Sequence, residues 1–559
     1  MKIIILAFLL FNIPTFHDGL FQVYDNVQVT RIEAMYSELR GGQFPVRYID
    51  SFGHGAGYML FKYYSPLLYY LGAAFMYLGF SAIKAVKLIY LIATAVGALG
   101  CWKWLRERTQ GAWPARLGTL AFLSAPYVYH DFFHRGSMTE AAALMLMPWV
   151  MWAYGMLKDS PTRRNVAWAA ITFGLVILTH SLTGVMTGAL IMLYLVIKPP
   201  RRRGIMMYLL AVILALGMAS FSLVPALLDK HTIQYENNSL LMRGYIDHPI
   251  KIAEQLNNQG IGEAKSAYLG LTLIIVYGVL MIIFIMSRKF RDRYAATAIF
   301  VLAAATVGLY LISPSSRSIW EQIIYLRYFQ FPFRLLTVVT LVLSLGMGVL
   351  TDYYQSDKIK LVALGLLVII PLLYSRSFYR PLGYQYGTTY TADDPCKTTT
   401  WADEYLSKWV HQCLLTGQAK MITPSIDQLE ILKNGREIKF EAKSAGEYIV
   451  AKYYAPEWVA HDTEGNVLET EPVGENGLIQ VKTDRDTTVV ILTMKPSRAS
   501  RWGDAISLGS LFLVIALLAT KSHPESKLKP VKQRSSRHAG KAYPATTLFP
   551  QRRDSGRRQ

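Results

Sequence analysis

Residues 16–66 read FHDGLFQVYDNVQVTRIEAMYSELRGGQFPVRYIDSFGHGAGYMLFKYYSP, a long polar segment in an otherwise apolar N-terminal half. The segment mixes carboxylates, basic side chains, two histidines, aromatic residues and a glycine-rich run. Charged groups are costly inside a bilayer, so such a segment belongs outside the hydrocarbon. We expect residues 17–64 to form a loop on the outer face of a membrane. There it would cover a site built from the outer ends of several helices.

The composition indicates a polytopic membrane protein. The 559 residues are 52% hydrophobic, and the apolar residues come in repeated blocks. Each block has about 15–20 residues, which is long enough to cross a hydrocarbon core of ~30 Å. The formal net charge is +20, with many Lys and Arg in short loops and after Thr520. This distribution favours basic loops on the cytoplasmic side of a membrane over nucleic-acid binding.

If all strongly basic short loops lie on the cytoplasmic side of the membrane, the sequence predicts about twelve spans, with both termini in the cytoplasm. The predicted spans are residues 3–16, 84–104, 116–130, 139–157, two short helices within 165–197, 205–227, 268–286, 294–312, 335–352, 360–375 and 504–520. The 165–197 stretch is too long for one helix and is predicted to break near residues 179–184. Residues 65–80 are rich in tyrosine, which predicts an interfacial or re-entrant helix on the outer side. No A-x-A-like cleavage site follows residues 3–16, so we prefer an uncleaved first helix to a signal peptide.

The pattern of hydrophobicity changes after residue 375, which divides a transmembrane bundle (1–375) from an outer β-rich domain (376–500). Short alternating runs such as IKFEAKSAGEYIVAKYY, LIQVKTD and TTVVILTM, separated by glycine turns, predict a small antiparallel sandwich. The predicted fold class is thus an all-α membrane bundle with an extracytoplasmic β-sandwich-like domain. After a last helix at 504–520, residues 521–559 are predicted to be a disordered basic cytoplasmic tail.

The two cysteines of the predicted outer domain are Cys396 and Cys413. They can form a disulfide there, although spacing alone does not establish one. No Walker A loop, GxGxxG after a strand, HExxH, CxxC or GxSxG motif is present, so no nucleotide-binding or hydrolase signature competes. The candidate functional groups are therefore ionisable residues near the outer ends of spans.

Asp25 is the first of these candidates. It lies in Tyr24–Asp25–Asn26, shortly after the first span, and starts a helix-like run that extends through Leu39. One interpretation is that Asp25 is the N-cap of that run. The other is a carboxylate at the head of a site, acting as general base or metal ligand.

A second group of charged residues lies in YHDFFHRGSMTEAAALMLMPW, residues 129–149. Residues 137–140 resemble a helix N-terminus, and Glu140 also suits the positive end of a helix. Arg135 begins a helix on the outer face, where its guanidinium matches the geometry of a phosphate. The alternative is an ion pair between Asp131 and Arg135 that closes the turn.

His180 and Arg334 complete the set of candidates. His180 lies in LTHSLTG, within an apolar run, where a histidine can simply pack with a hydrogen bond. Its position at a predicted helix break on the outer side keeps it as a site candidate. Arg334 follows FQFPF at the start of a span, where it can snorkel to lipid headgroups or bind a lipid phosphate.

The order of these segments resembles a known family. Asp25 with its amphipathic run, GGQFPVRY, a glycine patch, YYSPLLYYL, RGSMTE, THSLTGVM and FQFPFRLL follow one another as in the 6-pyruvoyl-tetrahydropterin synthase-related membrane proteins of bacteria. The resemblance covers residues 1–500, and WADEYLSKW and YYAPEWVAHDTEGN look like the outer domain of that family. The layout is also similar to YfhO-type proteins and to the GT-C class of glycosyltransferases.

The resemblance to GT-C enzymes implies a location, a reaction and a set of site residues. Such enzymes take a sugar from a polyprenyl-phosphate donor at the outer face of the cytoplasmic membrane, and a carboxylate of the first outer loop acts on the acceptor. Asp25 matches the position of that base, and Asp131 matches a second acidic site. Together with the candidates above, this gives Asp25, Asp131, Glu140 and His180 as catalytic candidates, with Arg135 and Arg334 on the donor phosphate. Asn26 follows Asp25 where many GT-C enzymes have a second acid, so the use of a divalent cation stays open.

Two other hypotheses remain beside a glycosyltransferase. One is a non-catalytic membrane scaffold or lipid-binding factor in the assembly of cell-envelope polymers. The other is a transporter, which ranks last because the sequence shows no repeated halves with matched broken helices. The expected partners are membrane lipid and a lipid-linked sugar, and no nucleic acid.

Overall fold

The computed structural model describes residues 1–235, 268–374, 379–386, 396, 398–400, 402–414, 422–424, 429–486 and 488–520. The predicted tail, 521–559, lies outside these described residues. The α-helices are α1 (Lys2–Phe11), α2 (Gln28–Arg40), α3 (Leu60–Tyr63), α4 (Leu67–Tyr77), α5 (Ala82–Arg108), α6 (Ala112–Leu123), α7 (Pro126–His130), α8 (Met138–Asp159), α9 (Arg163–Thr179), α10 (Ser181–Ile197), α11 (Arg202–Met218), α12 (Ser220–Leu228), α13 (Leu271–Met286), α14 (Arg288–Ile312), α15 (Arg317–Gln322), α16 (Leu336–Tyr354), α17 (Asp357–Tyr374) and α18 (Arg498–Ala519).

Every predicted span has a helical counterpart in the structure. The predicted break within 165–197 is real, because α9 ends at Thr179 and α10 begins at Ser181, with His180 in an extended conformation between them. Two of the predicted helices are each divided in the structure. The stretch 116–130 contains the end of α6 and all of α7, and 205–227 contains α11 and α12, which are bent by 75°. Length and apolar composition were thus enough to locate the helices, since both are local properties of the sequence.

Fewer helices are long and apolar enough to cross a membrane on their own. Among the described residues they are Ala82–Arg108, Met138–Asp159, Arg288–Ile312, Pro332–Tyr354 and Arg498–Ala519, with a sixth if the bent pair α11–α12 is one span. Shorter apolar helices of 10–17 residues include α1, α4, α10 and α13. The figure of about twelve spans therefore stays a prediction, as does the interfacial placement of α4.

Several basic connections meet at one end of the helix bundle. Arg108 at the end of α5 lies 3.4 Å from Asp159 at the end of α8. Asp352, near the end of α16, accepts a hydrogen bond from the backbone N–H of Gln110 at 2.8 Å and lies 3.6 Å from Arg293. Because α8 has 22 residues and is about 33 Å long, its first turn lies at the opposite end of the bundle.

The β-strands form a two-stranded ribbon and two larger sheets. The strands are β1 (Leu20–Phe21), β2 (Tyr384–Gln385), β3 (Ile422–Thr423), β4 (Leu429–Leu432), β5 (Glu437–Ala442), β6 (Gly446–Tyr453), β7 (Trp458–His461), β8 (Val467–Leu468), β9 (Thr470–Val473), β10 (Leu478–Thr483) and β11 (Thr488–Met494). The ribbon pairs β1 with β2. The sheets have the orders β3-β6-β10-β9 and β4-β5-β11-β7-β8, and all their pairings are antiparallel.

The two sheets share one hydrophobic core, which makes this region a sandwich as predicted. Buried side chains alternate along β5, where Ile438, Phe440 and Ala442 point inward, and they meet Val450 and Val481 of the other sheet. This alternation is the period of a half-buried strand. The placement of the sandwich outside the cell, and its boundary at residue 376, stay predictions.

The first loop lies between the bundle and the sandwich. Tyr48 of the loop is part of the sandwich core. Asp50 lies 2.5 Å from Lys452 of β6, and the backbone N–H of Tyr453 donates to the carbonyl of Ala56 at 2.8 Å. Met1–Thr520 therefore form one compact unit.

A buried lysine reinforces this junction. Lys62 of α3 has a side chain that is only 2% exposed. Its ammonium lies 2.9 Å from the carboxylate of Asp229, which follows α12, and also pairs with Glu457 of the sandwich. A buried charge needs such partners, because an unpaired one would cost several kcal/mol.

Candidate active site

A cavity of about 840 Å³ lies where the first loop, the helix ends and the segment before the sandwich meet. Several separate parts of the chain supply its wall. They are the start of α2 with the residues before it, residues 63–65, the helix ends around Arg135 and His180, the end of α12 with the residues after it, the segment 325–334, and residues 399–400 and 403–405. Residues far apart in the sequence thus surround one space.

Asp25 lines this cavity and is fixed by its backbone. The backbone N–H groups of Tyr24 and Asp25 donate to the carbonyls of His134 and Arg135 at 2.9 and 2.8 Å. Asp25 does not cap α2, because the N-cap residue is Val27 and no side chain caps the helix. Instead, the loop is laid against the turn that holds Arg135, so that Asp25 and Arg135 become neighbours.

The Asp25 carboxylate lies in a charged but desolvated environment. Burial raises its pKa above the ordinary value, while Arg31, Arg135 and Arg334 act in the opposite direction. Within the described part of the chain, the carboxylate accepts no hydrogen bond. Its oxygens are therefore placed to accept one from a substrate.

Arg135 and Arg334 reach the cavity from two different helix ends and share one carboxylate behind it. Glu140 lies 2.8 Å from Arg135 and 3.1 Å from Arg334, and its other oxygen accepts a hydrogen bond from Tyr127 at 3.1 Å. Arg334 also donates to the carbonyl of Phe329 at 2.8 Å. Glu140 is fully buried and does not line the cavity, so it fixes both guanidinium groups from behind.

Asp131 also lies behind the cavity wall. Residues 131–135 form a π-helical turn, a rare conformation that is often found at functional sites. Asp131 is fully buried and lies 3.1 Å from Arg135, which is the ion pair that the sequence left open as an alternative. Ser137 does not cap α8 with its side chain, and Glu140 pairs with arginines instead of a helix end.

His180 lines the cavity at the break between α9 and α10. Its Nδ1 atom lies 2.8 Å from the hydroxyl of Thr183 and also accepts from the backbone N–H of Thr183. The histidine thus caps α10. Its other ring nitrogen is not used by this cap.

Arg31 is a site residue that sequence reasoning missed. It lines the cavity although its side chain is almost fully buried. It donates to the hydroxyl of Tyr69 at 3.3 Å and to the hydroxyl and carbonyl of Thr399, and its guanidinium lies 4.8 Å from the ring centre of Tyr64. The signal in the sequence is a charge on the buried face of an amphipathic helix, four residues after Val27.

Positive groups outnumber negative ones around the cavity. The basic residues that line it are Arg31, Arg135, Lys230 and Arg334, and the acidic residues are Asp25, Asp403 and Glu404. Burial raises the pKa of Glu404 above its ordinary value. This balance suits an anionic ligand.

A disulfide-closed loop forms one wall of the cavity. Cys396 and Cys413 are joined by a disulfide, and the residues between them include Thr399, Glu404 and Tyr405 on the cavity wall. Among the described residues, one group of metal-ligating side chains is close enough to share an ion, namely Cys396, Asp403 and Cys413. The two sulfurs of this group are already bonded to each other, so the group does not support metal binding. The use of a divalent cation therefore stays a hypothesis.

The structure therefore separates the predicted site residues into two groups. Asp25, Arg135, His180 and Arg334 line one cavity, whereas Asp131 and Glu140 lie behind its wall. The catalytic roles assigned to them stay predictions. Lys230 and the residues between 399 and 405 had no local signal, because only the fold brings them to the cavity.

The apolar helix bundle with a charged cavity at one end defines a membrane protein with a site near the ends of its helices. A family model described as 6-pyruvoyl-tetrahydropterin synthase related domain, membrane protein, matches residues 61–380, more than half of the chain. The chain belongs to this family, which confirms the resemblance found in the order of its motifs. The match includes Arg135, His180 and Arg334, but not Asp25 or the sandwich.

Solved structures of three glycosyltransferases are similar to this chain. The arabinofuranosyltransferase AftD from Mycobacteria is 15% identical with a TM-score of 0.45, over 68% of this chain and 27% of AftD. ArnT from Cupriavidus metallidurans, bound to undecaprenyl phosphate, is 14% identical with a TM-score of 0.43, over 67% of this chain and 64% of ArnT. The oligosaccharyltransferase of Archaeoglobus fulgidus is 13% identical with a TM-score of 0.41, over 69% of this chain and 56% of that enzyme.

The chain thus spans between about a quarter and two thirds of the length of these structures. No curated protein matches it. Similarity with TM-scores below 0.5 does not establish a shared activity, so a function has to be argued from the cavity itself.

Proposed function

We propose that the protein is an inverting glycosyltransferase, which moves a sugar from a polyprenyl-phosphate donor to an acceptor hydroxyl at the outer face of the cytoplasmic membrane. The observation that carries this proposal is that Asp25, Arg135 and Arg334 line one cavity at the end of an apolar helix bundle. A carboxylate can activate a hydroxyl, and two guanidinium groups can stabilise a phosphate leaving group.

In the proposed reaction Asp25 accepts the proton of the acceptor hydroxyl while its oxygen attacks the anomeric carbon of the donor sugar. The bond between that carbon and the phosphate oxygen breaks, and both of its electrons leave with the polyprenyl phosphate. A single displacement of this kind inverts the configuration at the anomeric carbon. The raised pKa of Asp25 makes its carboxylate a stronger base than an exposed aspartate.

Arg135 and Arg334 bind the donor phosphate and balance the charge that develops on it. A guanidinium matches phosphate with two parallel hydrogen bonds, and it remains charged even when buried. Glu140 and Asp131 are positioning residues in this scheme, because they contact the arginines and not the cavity. They hold the guanidinium groups in place before the donor arrives, which lowers the cost of reorganisation.

The outer location rests on the distribution of charge along the bundle. Arg108, Arg293 and the other basic connections lie at the end of the bundle opposite the first turn of α8. The positive-inside rule assigns that basic end to the cytoplasm. Glu140 and the cavity beside it are then on the outer side, where the donor headgroup of an outer-leaflet lipid is accessible.

The test is to complement a strain that lacks the gene with wild-type, Asp25→Asn and Asp18→Asn forms. Asp18 is an exposed aspartate of the same loop and is the matched control. After equal membrane insertion is confirmed, envelope glycans are profiled by mass spectrometry. We expect Asp25→Asn to lower transfer by about 100-fold or more, so that its strain has the same envelope glycans as the deletion strain. The Asp18→Asn strain should have the wild-type glycans.

Normal glycans in the Asp25→Asn strain, beside a defect in the deletion strain, would contradict the proposal. That result would favour the non-catalytic scaffold instead, because a scaffold needs the fold of the loop but not the ionised carboxylate of Asp25.

A further inference from the structure

His180 is a buried histidine of the cavity to which the proposed reaction gives no role. It lies between α9 and α10, lines the cavity, and is only 8% exposed. Its Nδ1 atom is engaged with Thr183. Within the described part of the chain its Nε2 atom has no hydrogen-bond partner, although a polar atom of so buried a side chain normally has one. Nε2 is therefore a group that a ligand can satisfy.

The contact with α10 decides which ring nitrogen of His180 carries the proton. The backbone N–H of Thr183 donates to Nδ1 at 3.4 Å, and an N–H group can only donate, so Nδ1 carries no proton. In the neutral ring the proton is then on Nε2. His180 thus offers the cavity an N–H donor.

The ring of His180 is neutral near pH 7. The residue lies outside both helices, and burial lowers its pKa to about 3, although the charge of Glu140 acts in the opposite direction. The charges of Arg334 and Arg135 lower the pKa as well. In this state the ring is a hydrogen-bond donor and not a base, because Nδ1 accepts from α10 and Nε2 already carries a proton.

Two arginines present further donors beside His180. The side chains of Arg135 and Arg334 line the cavity, and they lie 2.8 and 3.1 Å from Glu140. Glu140 also acts electrostatically on the ring of His180, so the three side chains are grouped around one buried carboxylate. Glu140 itself does not line the cavity. These three side chains therefore offer a ligand N–H donors and no acceptor.

A phosphate group is the ligand that matches three such donors. The ionised oxygens of a phosphate only accept hydrogen bonds. A sugar hydroxyl both donates and accepts, so it would need an acceptor among these groups. The two guanidinium groups supply positive charge, and the histidine supplies a neutral donor from a third part of the chain.

We propose that Nε2 of His180 donates a hydrogen bond to the phosphate of the lipid-linked donor, as a third phosphate ligand beside Arg135 and Arg334. This inference rests on the proposed function, since it concerns the donor phosphate of the same cavity. Thr183 is then a positioning residue, because it holds the ring in the tautomer that donates through Nε2.

Two substitutions separate the roles of the two ring nitrogens. Asn places its amide near the position of Nδ1 and is a favourable N-cap residue, but it has no group at the position of Nε2. Gln is longer and places an amide N–H near the position of Nε2, but it is a poorer cap. His180→Asn therefore removes the proposed donor and keeps the cap, whereas His180→Gln keeps a donor and weakens the cap.

The test measures binding of undecaprenyl phosphate, undecaprenol and inorganic phosphate by the full-length protein in lipid nanodiscs, read with a fluorophore attached to the protein. We expect wild type to bind undecaprenyl phosphate more tightly than the other two probes. His180→Asn should bind undecaprenyl phosphate about tenfold more weakly, because a hydrogen bond to a charged group is lost, and should keep the wild-type unfolding temperature. His180→Gln should bind it within about threefold of wild type, although it unfolds at a lower temperature.

His231→Asn is the matched control. His231 is an exposed histidine that follows α12, and it does not line the cavity. This variant should bind all three probes as wild type does. The contrast between His180→Asn and His180→Gln decides the inference even if both variants lose stability, since a role in capping alone would make His180→Gln the weaker binder.

Three results would overturn the inference. The first is that His180→Asn binds undecaprenyl phosphate as wild type does, or that His180→Gln loses as much affinity. The second is that wild type binds undecaprenol as tightly as undecaprenyl phosphate, which would mean that the phosphate is not recognised. The third is that inorganic phosphate binds more tightly than the lipid, which would indicate a site for free phosphate.

These measurements report binding and not transfer. Normal envelope glycans in Asp25→Asn cells would contradict the transferase, while phosphate binding through His180 would stand. Wild-type lipid binding by His180→Asn would contradict the role of His180 and leave the test of Asp25 unaffected.

Discussion

Glu140 is the residue on which two cationic side chains of the cavity depend. It is fully buried and contacts Arg135 and Arg334, while Tyr127 donates to its second oxygen. We predict that Glu140→Gln lowers stability by about 3 kcal/mol or more, because removing one partner strands the charge of the others. The measurement is the thermal unfolding temperature of the purified protein in detergent.

Added undecaprenyl phosphate should restore more stability to Glu140→Gln than to wild type. The phosphate brings a negative charge to the same two arginines, and a ligand that binds the folded state stabilises it. The control is Glu107→Gln, which removes a carboxylate that accepts a hydrogen bond from Trp152 at 2.7 Å, away from the cavity. Equal effects of the lipid on the two variants would argue against a phosphate site at Arg135 and Arg334.

Individual site residues could be predicted only where a local pattern exposed them. Asp25, Arg135 and Arg334 each stand out as a charge at the edge of an apolar segment. Lys230 and Glu404 do not, because only the complete fold brings them to the cavity. The sequence also could not show that Glu140 lies behind the cavity and Asp25 beside it.

Helix α2 carries charged groups on the face that it buries, which is the element-scale feature of this fold. Arg31 and Glu38 are both buried, two turns apart on the helix. Glu38 accepts hydrogen bonds from the backbone N–H of Asp50 at 3.0 Å and from Gln43 at 3.2 Å. Burial raises the pKa of Glu38 from 4.5 to about 7, and the nearby charge of Asp50 adds to this effect.

The raised pKa of Glu38 predicts a pH dependence of stability. Between pH 4.5 and about 7 the folded protein keeps a proton that the unfolded chain has released, so stability falls as the pH rises through this window. Between pH 5 and pH 8 the loss is roughly 2–3 kcal/mol, since one pKa unit is worth about 1.4 kcal/mol. Glu38→Gln should lack this loss, which thermal unfolding at pH 5 and pH 8 would measure.

Glu447→Gln is the control for this experiment, because Glu447 is an exposed glutamate of the sandwich. It should change with pH as wild type does. If Glu38→Gln and wild type lose the same stability between pH 5 and pH 8, the carboxyl group of Glu38 titrates normally in the folded protein.

At the scale of elements, the sequence predicted whether a segment is a helix or a strand, but it did not predict bends and irregular turns. Helices α8, α9 and α16 follow from apolar length, and β5 and β10 follow from alternation. The 75° bend between α11 and α12 was missed, because a bend in an apolar helix depends on the neighbours against which it packs. The π-helical turn at Asp131 was missed for the same reason.

At the scale of the whole molecule, Lys62 connects the helix bundle to the sandwich. It lies in the first loop, pairs with Asp229 after α12 and with Glu457 of the sandwich, and is buried. We predict that Lys62→Met lowers stability by about 3–5 kcal/mol, because the buried carboxylate of Glu457 and the half-buried carboxylate of Asp229 lose their counter-charge. Thermal unfolding and limited proteolysis of the sandwich region would both report this loss.

Lys84→Met is the matched control, since Lys84 is exposed near the start of α5. It should unfold at the wild-type temperature and resist protease equally. Wild-type stability of Lys62→Met would show that the two carboxylates find other partners, and the junction would then depend on its apolar contacts.

The arrangement of bundle, loop and sandwich could not be predicted from one sequence. The alternating pattern after residue 429 predicts strands, but it does not show that Tyr48 is part of their hydrophobic core. The contact between Asp50 and Lys452 joins residues that are 402 positions apart. Pairings over such separations depend on the complete fold, so local sequence patterns do not predict them.

The position of Tyr48 in the sandwich core has a consequence for biosynthesis. At about 5–20 residues per second, a ribosome needs roughly 20–80 s to extend the chain from Asp50 to Lys452, which are 402 positions apart. The nascent loop emerges that much earlier than the strands that receive it. A translation product that ends within the helices therefore lacks the residues around Glu404 that line the cavity, and its Tyr48 lacks the strands that bury it.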